Sequence, residues 1–276
     1  VIVVGQRAMM ESAVNMQRNS DTVESVLTKD GVGQFPDQNV AESLRRLPGI
    51  NVLNDQGEGR FVSVRGLSPD LVSSSLTGVR LPSPEADIRA VALDVVSSDI
   101  IESIEVKKSL TPDMDADTIG ASIEIETTKG FDRKDPYVSV TLEGSYNDLN
   151  GETSPKAAVD FTLPVSDTFG ISGGLSYYDR KTSTDNQEMA DWDTTDDGLV
   201  YAKEVQYRDY DVERERVGAS LSFDWKASDT TTLYARAIYS TFDDTEKRQR
   251  LVFKMKGEPA SGDDNSATFS RHFRST

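Results

Sequence analysis

Forty-seven of the 276 residues are Asp or Glu, so carboxylate chemistry is the first possibility to weigh. Hydrolysis of a glycoside needs two carboxyl groups held at a working separation. Nothing in the spacing of these residues fixes such a pair. No G-x-S-x-G elbow and no metal-binding motif occurs. The chain has no cysteine, which removes thiol catalysis, disulfides and cysteine zinc sites. Its one histidine, His272, has no second imidazole to help it bind a metal. The densest acidic run, Asp185–Asp197, places six carboxylates around Trp192 and suggests calcium, a cationic ligand or a sugar stacked on the indole. It lacks EF-hand spacing, so a solvated loop is the plainer reading. The sequence reads as a non-enzyme with no metal and no cofactor. A formal net charge of -17 argues against a nucleic-acid partner.

The elements that would position binding groups fall into two halves, residues 1–130 and 131–276. In the first, Asp37 is expected to cap a helix through Ala41, Leu44 and Leu47, ended by Pro48-Gly49. A shorter helix is expected over Thr22–Lys29. Strand signals follow at Ile50–Leu53, Phe61–Val64, Val91–Val96, Ile101–Val106 and Ser122–Thr127. Turn residues punctuate them at Asp55–Gly59, Ser68–Asp70 and Pro82–Asp87. This half reads as a small α+β domain with a mixed sheet.

The second half changes period. Apolar residues alternate at Val138–Leu142, Ala157–Leu163, Phe169–Tyr177, Val217–Trp225 and Leu233–Tyr239. The connections at Val165–Thr168 and Ala227–Thr230 are tight. Those at Asn147–Ser154 and Thr182–Lys203 read as longer polar loops. Short turns on one side and long loops on the other suit a transmembrane barrel. Tyr137, Phe169 and Trp225, with Tyr146, Tyr178 and Tyr239, sit where interfacial girdles would lie. A soluble β-sandwich also alternates. The long Val212–Trp225 and Thr232–Thr241 stretches favour the barrel, since a crossing takes about 9–11 residues.

Four pieces of the first half carry a family resemblance by their order. They are VAESLRRLPGINV (Val40–Val52), FVSVRGL (Phe61–Leu67), LTGVRLP (Leu76–Pro82), and IIESIEVKK with DTIGASIEIETTK (Ile100–Lys108 and Asp117–Lys129). The chain resembles a TonB-dependent outer-membrane receptor: an α+β plug domain over 1–130, then the first antiparallel strands of an incomplete 22-stranded β-barrel over 131–276. Thr77 stands where the family usually has Asn. LTPDMDAD (110–117) and GEGR (57–60) look most like the Xanthomonas- and Caulobacter-type receptors, often linked to carbohydrate uptake.

The resemblance implies a set of site residues. An arginine at the position of Arg65 pairs with barrel glutamates in the family, on strands later than those present here, and locks plug to wall; Lys108 is given a related role, with an exposed strand-end lysine as the plainer reading. Gly66, Gly78 and Gly120 are expected to serve positive φ or close backbone approach, and Gly49 a turn. Ligands would meet the plug apices at 54–60, 68–75 and 82–89, through Asp55, Gln56, Glu58, Arg60, Asp70, Glu85 and Arg89. Val1, Ile2, Val3 and Val4 have the composition of a segment that adds as a strand to TonB. They could equally be the first plug strand. The implied partners are TonB, outer-membrane lipid and a small nutrient, carbohydrate before ferric siderophore, for a monomer in the outer membrane. An open sheet of six or seven strands cannot stand in lipid, so a piece of a longer protein is expected. The competing function is a non-transporting, adhesin-like β protein with a plug-like module.

Overall fold

The computed structural model describes residues 13–28, 37, 39–112, 114–116, 118–263 and 265–275. Two compact units emerge. The first takes Val1–Gly144, Pro155–Asp179 and Glu215–Asp243; the second takes Ser145–Ser154, Arg180–Arg214 and Asp244–Thr276.

The first unit holds a five-stranded mixed sheet and a separate hairpin. Its strands are β1 (Glu24–Thr28), β4 (Val72–Leu76), β5 (Val79–Arg80), β6 (Ile101–Lys107) and β7 (Ala121–Thr127), in the order β1-β6-β7-β4-β5. β4 and β7 run parallel; the other pairs are antiparallel. β2 (Ile50–Asp55) and β3 (Glu58–Val64) pair only with each other. Alternation buries one face: Ile101, Ile104, Val106, Ile123 and Ile125 join Val40, Ala41 and Leu44 of helix α1 (Val40–Leu44) in one core.

Several expectations are corrected. Within the stretch expected as the helix Thr22–Lys29, Glu24–Thr28 form β1, because Val26 and Leu27 pair with Glu105 and Ile104 across the sheet. The cap of α1 is Asn39, whose side chain accepts from Glu42 N; Asp37 instead binds Ser43 and Arg46. Residues 91–96 hold a 3-10 turn, Leu93–Val95, in place of a strand. β4 and β5 were not expected as strands.

The antiparallel strands are β8 (Tyr137–Asn147), β9 (Glu152–Pro164), β10 (Phe169–Thr194), β11 (Val200–Ser228) and β12 (Thr231–Met255). With β15 (His272–Ser275) they form one open sheet, ordered β15-β12-β11-β10-β9-β8. A short hairpin of β13 (Ser261–Asp263) and β14 (Ser266–Thr268) stands apart. Among the described residues no helix is long and apolar enough to cross a membrane, which says nothing of strands. In the first unit Val138, Val140, Leu142, Leu175, Phe223 and Trp225 form an exposed apolar belt on one strand face. Two expectations fail. The loop expected over Thr182–Lys203 is mostly strand, broken by a turn at 195–199 where Gly198 has φ 90°. Tyr178 is buried on the opposite face from the apolar belt, so the outward tyrosine is Tyr177.

Candidate functional site

Three apical turns of the first unit carry most of the expected binding residues. The β2–β3 turn places Gln56 and Gly57 at φ 49° and 80°, which suits a two-residue hairpin loop. Arg60 spans this turn and the next: it binds Asp55 at 2.6 Å, binds Glu85, and lies 3.8 Å from buried Asp94. Asp70 accepts from the backbone N–H groups of Arg89 (3.1 Å) and Ala90 (3.0 Å), stapling the second turn to the third. Asp55, Gln56, Arg60, Asp70, Glu85 and Arg89 thus share one polar end. Glu58 does not belong with them. It is 0% exposed and offers no surface to a ligand. Its carboxylate would be intolerable there without a cation.

That cation comes from the strands. Arg216 of β11 donates to Glu58 Oε1 at 2.5 Å and to the carbonyl of Asp94 at 2.8 Å. Its guanidinium also stands 4.9 Å from the Phe242 ring centroid. A second seat joins Asp99 to Lys156 of β9 at 2.9 Å, with Glu143 of β8 at 3.5 Å from the same ammonium. A third holds the exit from the mixed-sheet module: Gly130 N donates to Asp224 of β11 at 2.7 Å, and Ser172 of β10 donates to Thr128 O at 2.6 Å. Asp224 is in turn paired with Arg236 at 2.6 Å. Between the seats the facing strands carry Ser172, Gly174 and Ser176 on β10 and Gly218, Ser220 and Ser222 on β11. A Cβ on Gly218 would meet Ser97 at 3.5 Å and Ile100 at 3.7 Å. Small residues let the two backbones come close.

Arg65 and Lys108 act elsewhere. Arg65 donates to the carbonyl of Lys108, while Lys108 Nζ donates to Ser25 Oγ (2.7 Å) and Pro48 O (2.6 Å). These bonds tie the hairpin's open end to the five-stranded sheet. Desolvation, and then the Arg65 charge, hold the Lys108 ammonium below its usual pKa. Burial pushes Glu105 on β6 above the ordinary carboxylate value; Lys107 opposes this, and Glu24, Glu126 and Glu124 add to it. Gly49, Gly66 and Gly78 have φ near 75–78°. Gly120 serves close approach, since a Cβ there would lie 3.0 Å from Leu71 O. Val1, Ile2, Val3 and Val4 lie outside the described residues.

The second unit has its own groove, lined in part by Asp185, Tyr207, Arg208, Arg248 and Arg250. The acidic run sits on β10 up to Asp193, with Asp196 and Asp197 in the turn that follows, and is partly neutralised: Glu188 pairs with Arg208, and Asp193 with Lys203 at 2.6 Å. Among the described residues no group of three metal-ligating side chains forms a metal site.

Sequence reading missed Arg216, Asp99, Lys156, Asp224 and Gly130. Arg216 carried a usable signal. It sits on the face opposite Val217 and Ala219, in line with Gly218, Ser220 and Ser222, where a long charged side chain among small residues stands out.

Residues 16–122 match the family model of the TonB-dependent Receptor Plug Domain. Solved structures share the fold over most of the chain. The ferric citrate transporter FecA in its unliganded form is 14% identical, with a TM-score of 0.52, over 90% of this chain and 43% of that one. A variant of the ferric enterobactin receptor PfeA from Pseudomonas aeruginosa, in complex with enterobactin, is 11% identical, with a TM-score of 0.50, over 93% of this chain and 45% of that one. A second PfeA variant is 12% identical, with a TM-score of 0.50, over 95% and 45%. The chain therefore spans less than half the length of these structures.

Proposed function

We propose that this chain carries the plug domain and first barrel strands of a TonB-dependent receptor of the Gram-negative outer membrane, and that it gates the import of a scarce nutrient. The plug, residues 1–130, closes the lumen formed in part by residues 131–276. The observation that carries this reading is the Glu58–Arg216 pair, in which a fully buried plug carboxylate is held by a strand arginine. Such a pair suits a module seated against a wall rather than one strung beside it. TonB acts on the N-terminal segment, with Val1–Val4 as the candidate contact. Lipid surrounds the apolar strand face, and the receptor works as a monomer without catalysis.

The ligand meets the apical end formed by Asp55, Gln56, Arg60, Asp70, Glu85 and Arg89. Its paired carboxylates and guanidiniums suit a hydroxyl-rich molecule, so a carbohydrate is the first reading. A ferric chelate is the second, favoured by the groove bearing Arg208, Arg248 and Arg250. The test is uptake in a strain lacking the full-length receptor, with labelled oligosaccharides and ferric chelates as separate arms. Loss of uptake in one arm, restored by the wild-type gene and abolished without TonB, is the expected result. Unchanged uptake in every arm, or a product soluble without detergent, would sink the importer reading in favour of an adhesin-like protein. Deleting Val1–Val4 and measuring binding to the TonB C-terminal domain tests the contact; undiminished binding would move it elsewhere.

A further inference from the structure

The hairpin tip, the start of α1 and strand β11 meet at one carboxylate. Asn39 is fully buried and works in two directions. Its Oδ1 accepts from Glu42 N at 3.1 Å and so caps α1. Its Nδ2 donates to Glu58 Oε1 at 2.7 Å and to Gly59 O at 3.0 Å. Glu42 returns the contact, its Oε1 accepting from Gly59 N at 3.3 Å. Helix start and hairpin tip are therefore one hydrogen-bonded body. Arg216 brings the positive charge that offsets burial of the Glu58 carboxylate inside it.

We propose that Arg216 is a positioning residue that latches two plug elements to the wall at once: while it holds Glu58, the β2–β3 tip and the N-terminus of α1 stay seated, and when it lets go both are released together. The proposal rests on reading the module as a plug. Removing the guanidinium leaves a carboxylate buried without its cation, and the favourable response is for Glu58 to move toward water. Its Oε1 is the acceptor for Asn39 Nδ2. A moving Glu58 therefore unseats the residue whose other end caps the helix. A simple packing role for Arg216 would disturb the hairpin and leave α1 in place.

The experiment is hydrogen exchange by mass spectrometry on the full-length receptor in detergent. Arg216→Met should speed exchange at least about tenfold in peptides covering both Asn39–Leu44 and Glu58–Val64. Peptides from β7 should keep wild-type protection. Adding Glu58→Gln should bring both segments back to within about threefold of wild type, because the uncompensated charge is gone. Faster exchange in the hairpin alone, no change in either segment, or no recovery in the double variant each overturns the latch. If β7 also exchanges faster, recovery in the double variant supports the latch and its absence refutes it. The readout needs neither ligand nor uptake, so its failure is separate from failure of the importer reading.

Discussion

Gly130 and Gly170 cross so closely that neither position has room for a side chain. A Cβ built on Gly130 would lie 2.6 Å from Gly170 O and 2.9 Å from Gly170 Cα; one built on Gly170 would lie 2.7 Å from Gly130 C. The obstacle is backbone, so no rotamer change relieves it. Neither side can easily step back. Gly130 N is bonded to Asp224, and Thr128 O accepts from Ser172. Overpacking costs about 1–3 kcal/mol where side chains can adjust. Here two main chains must part and the Gly130–Asp224 bond must lengthen, which puts Gly130→Ala near the upper end, about 3 kcal/mol. At about 1.4 kcal/mol per tenfold, that is a change on the order of a hundredfold in the local opening equilibrium. Hydrogen exchange of the 128–132 segment in the full-length receptor measures it directly. Gly198→Ala is the control: it has a positive φ, but nothing lies within 4 Å of its Cβ, so protection of 128–132 should not change. Protection in Gly130→Ala within about threefold of wild type would refute the reasoning.

Glu105→Gln tests the crowded acidic face of the plug. Burial raises the Glu105 pKa above its ordinary 4.5, so its relative stabilisation is full below that value and is lost as pH rises through the folded-state pKa. The variant should therefore melt higher than wild type at pH 7–8, with the gain vanishing below about pH 4.5; a constant difference across pH would refute this. Thr77→Asn should stabilise the plug by about 1 kcal/mol, read from denaturant midpoints, because β-branched Thr77 sits at φ 51° beside Gly78, where Asn is far better tolerated.

Legibility followed the range of the interactions. Local signals served well for the Arg65-Gly66 and Thr77-Gly78 turns and the period-two strands; the helix expected to run through Leu47 to Pro48-Gly49 instead ends at Leu44, with Arg45 as its C-cap. The helix expected over Thr22–Lys29 failed because β1 is defined by its pairing with β6, eighty residues away, and not by its own composition. The long outer loop failed for a related reason. Asp, Lys and Glu at 185–204 look like loop residues, yet polar strands persist where cross-strand partners such as Lys203–Asp193 hold them. Glu58 was legible as important and misassigned in role. Its neighbours in sequence are apical, while its partner Arg216 lies 158 positions later. The apical set around Arg60 was the part that local turn chemistry could reveal, because each of its turns advertises itself with Gly, Pro or Asp.

The Gly and Ser stripe on β10 and β11 has a consequence for water. Ser172, Ser176 and Ser222 are buried, the first two against Thr128 and Ser97, yet each carries a hydroxyl. If the plug withdraws, the strand surface it uncovers is already wettable, and little apolar area on that side meets solvent. Hydration heat capacity tracks newly exposed apolar area. Plug withdrawal should then show a small heat-capacity change from the strand side, with the larger part arising from residues such as Ile100 on the plug. On the proposed reading of the module as a plug, a passage lined in this way would wet as it opens and would offer a polar solute no greasy surface to adhere to.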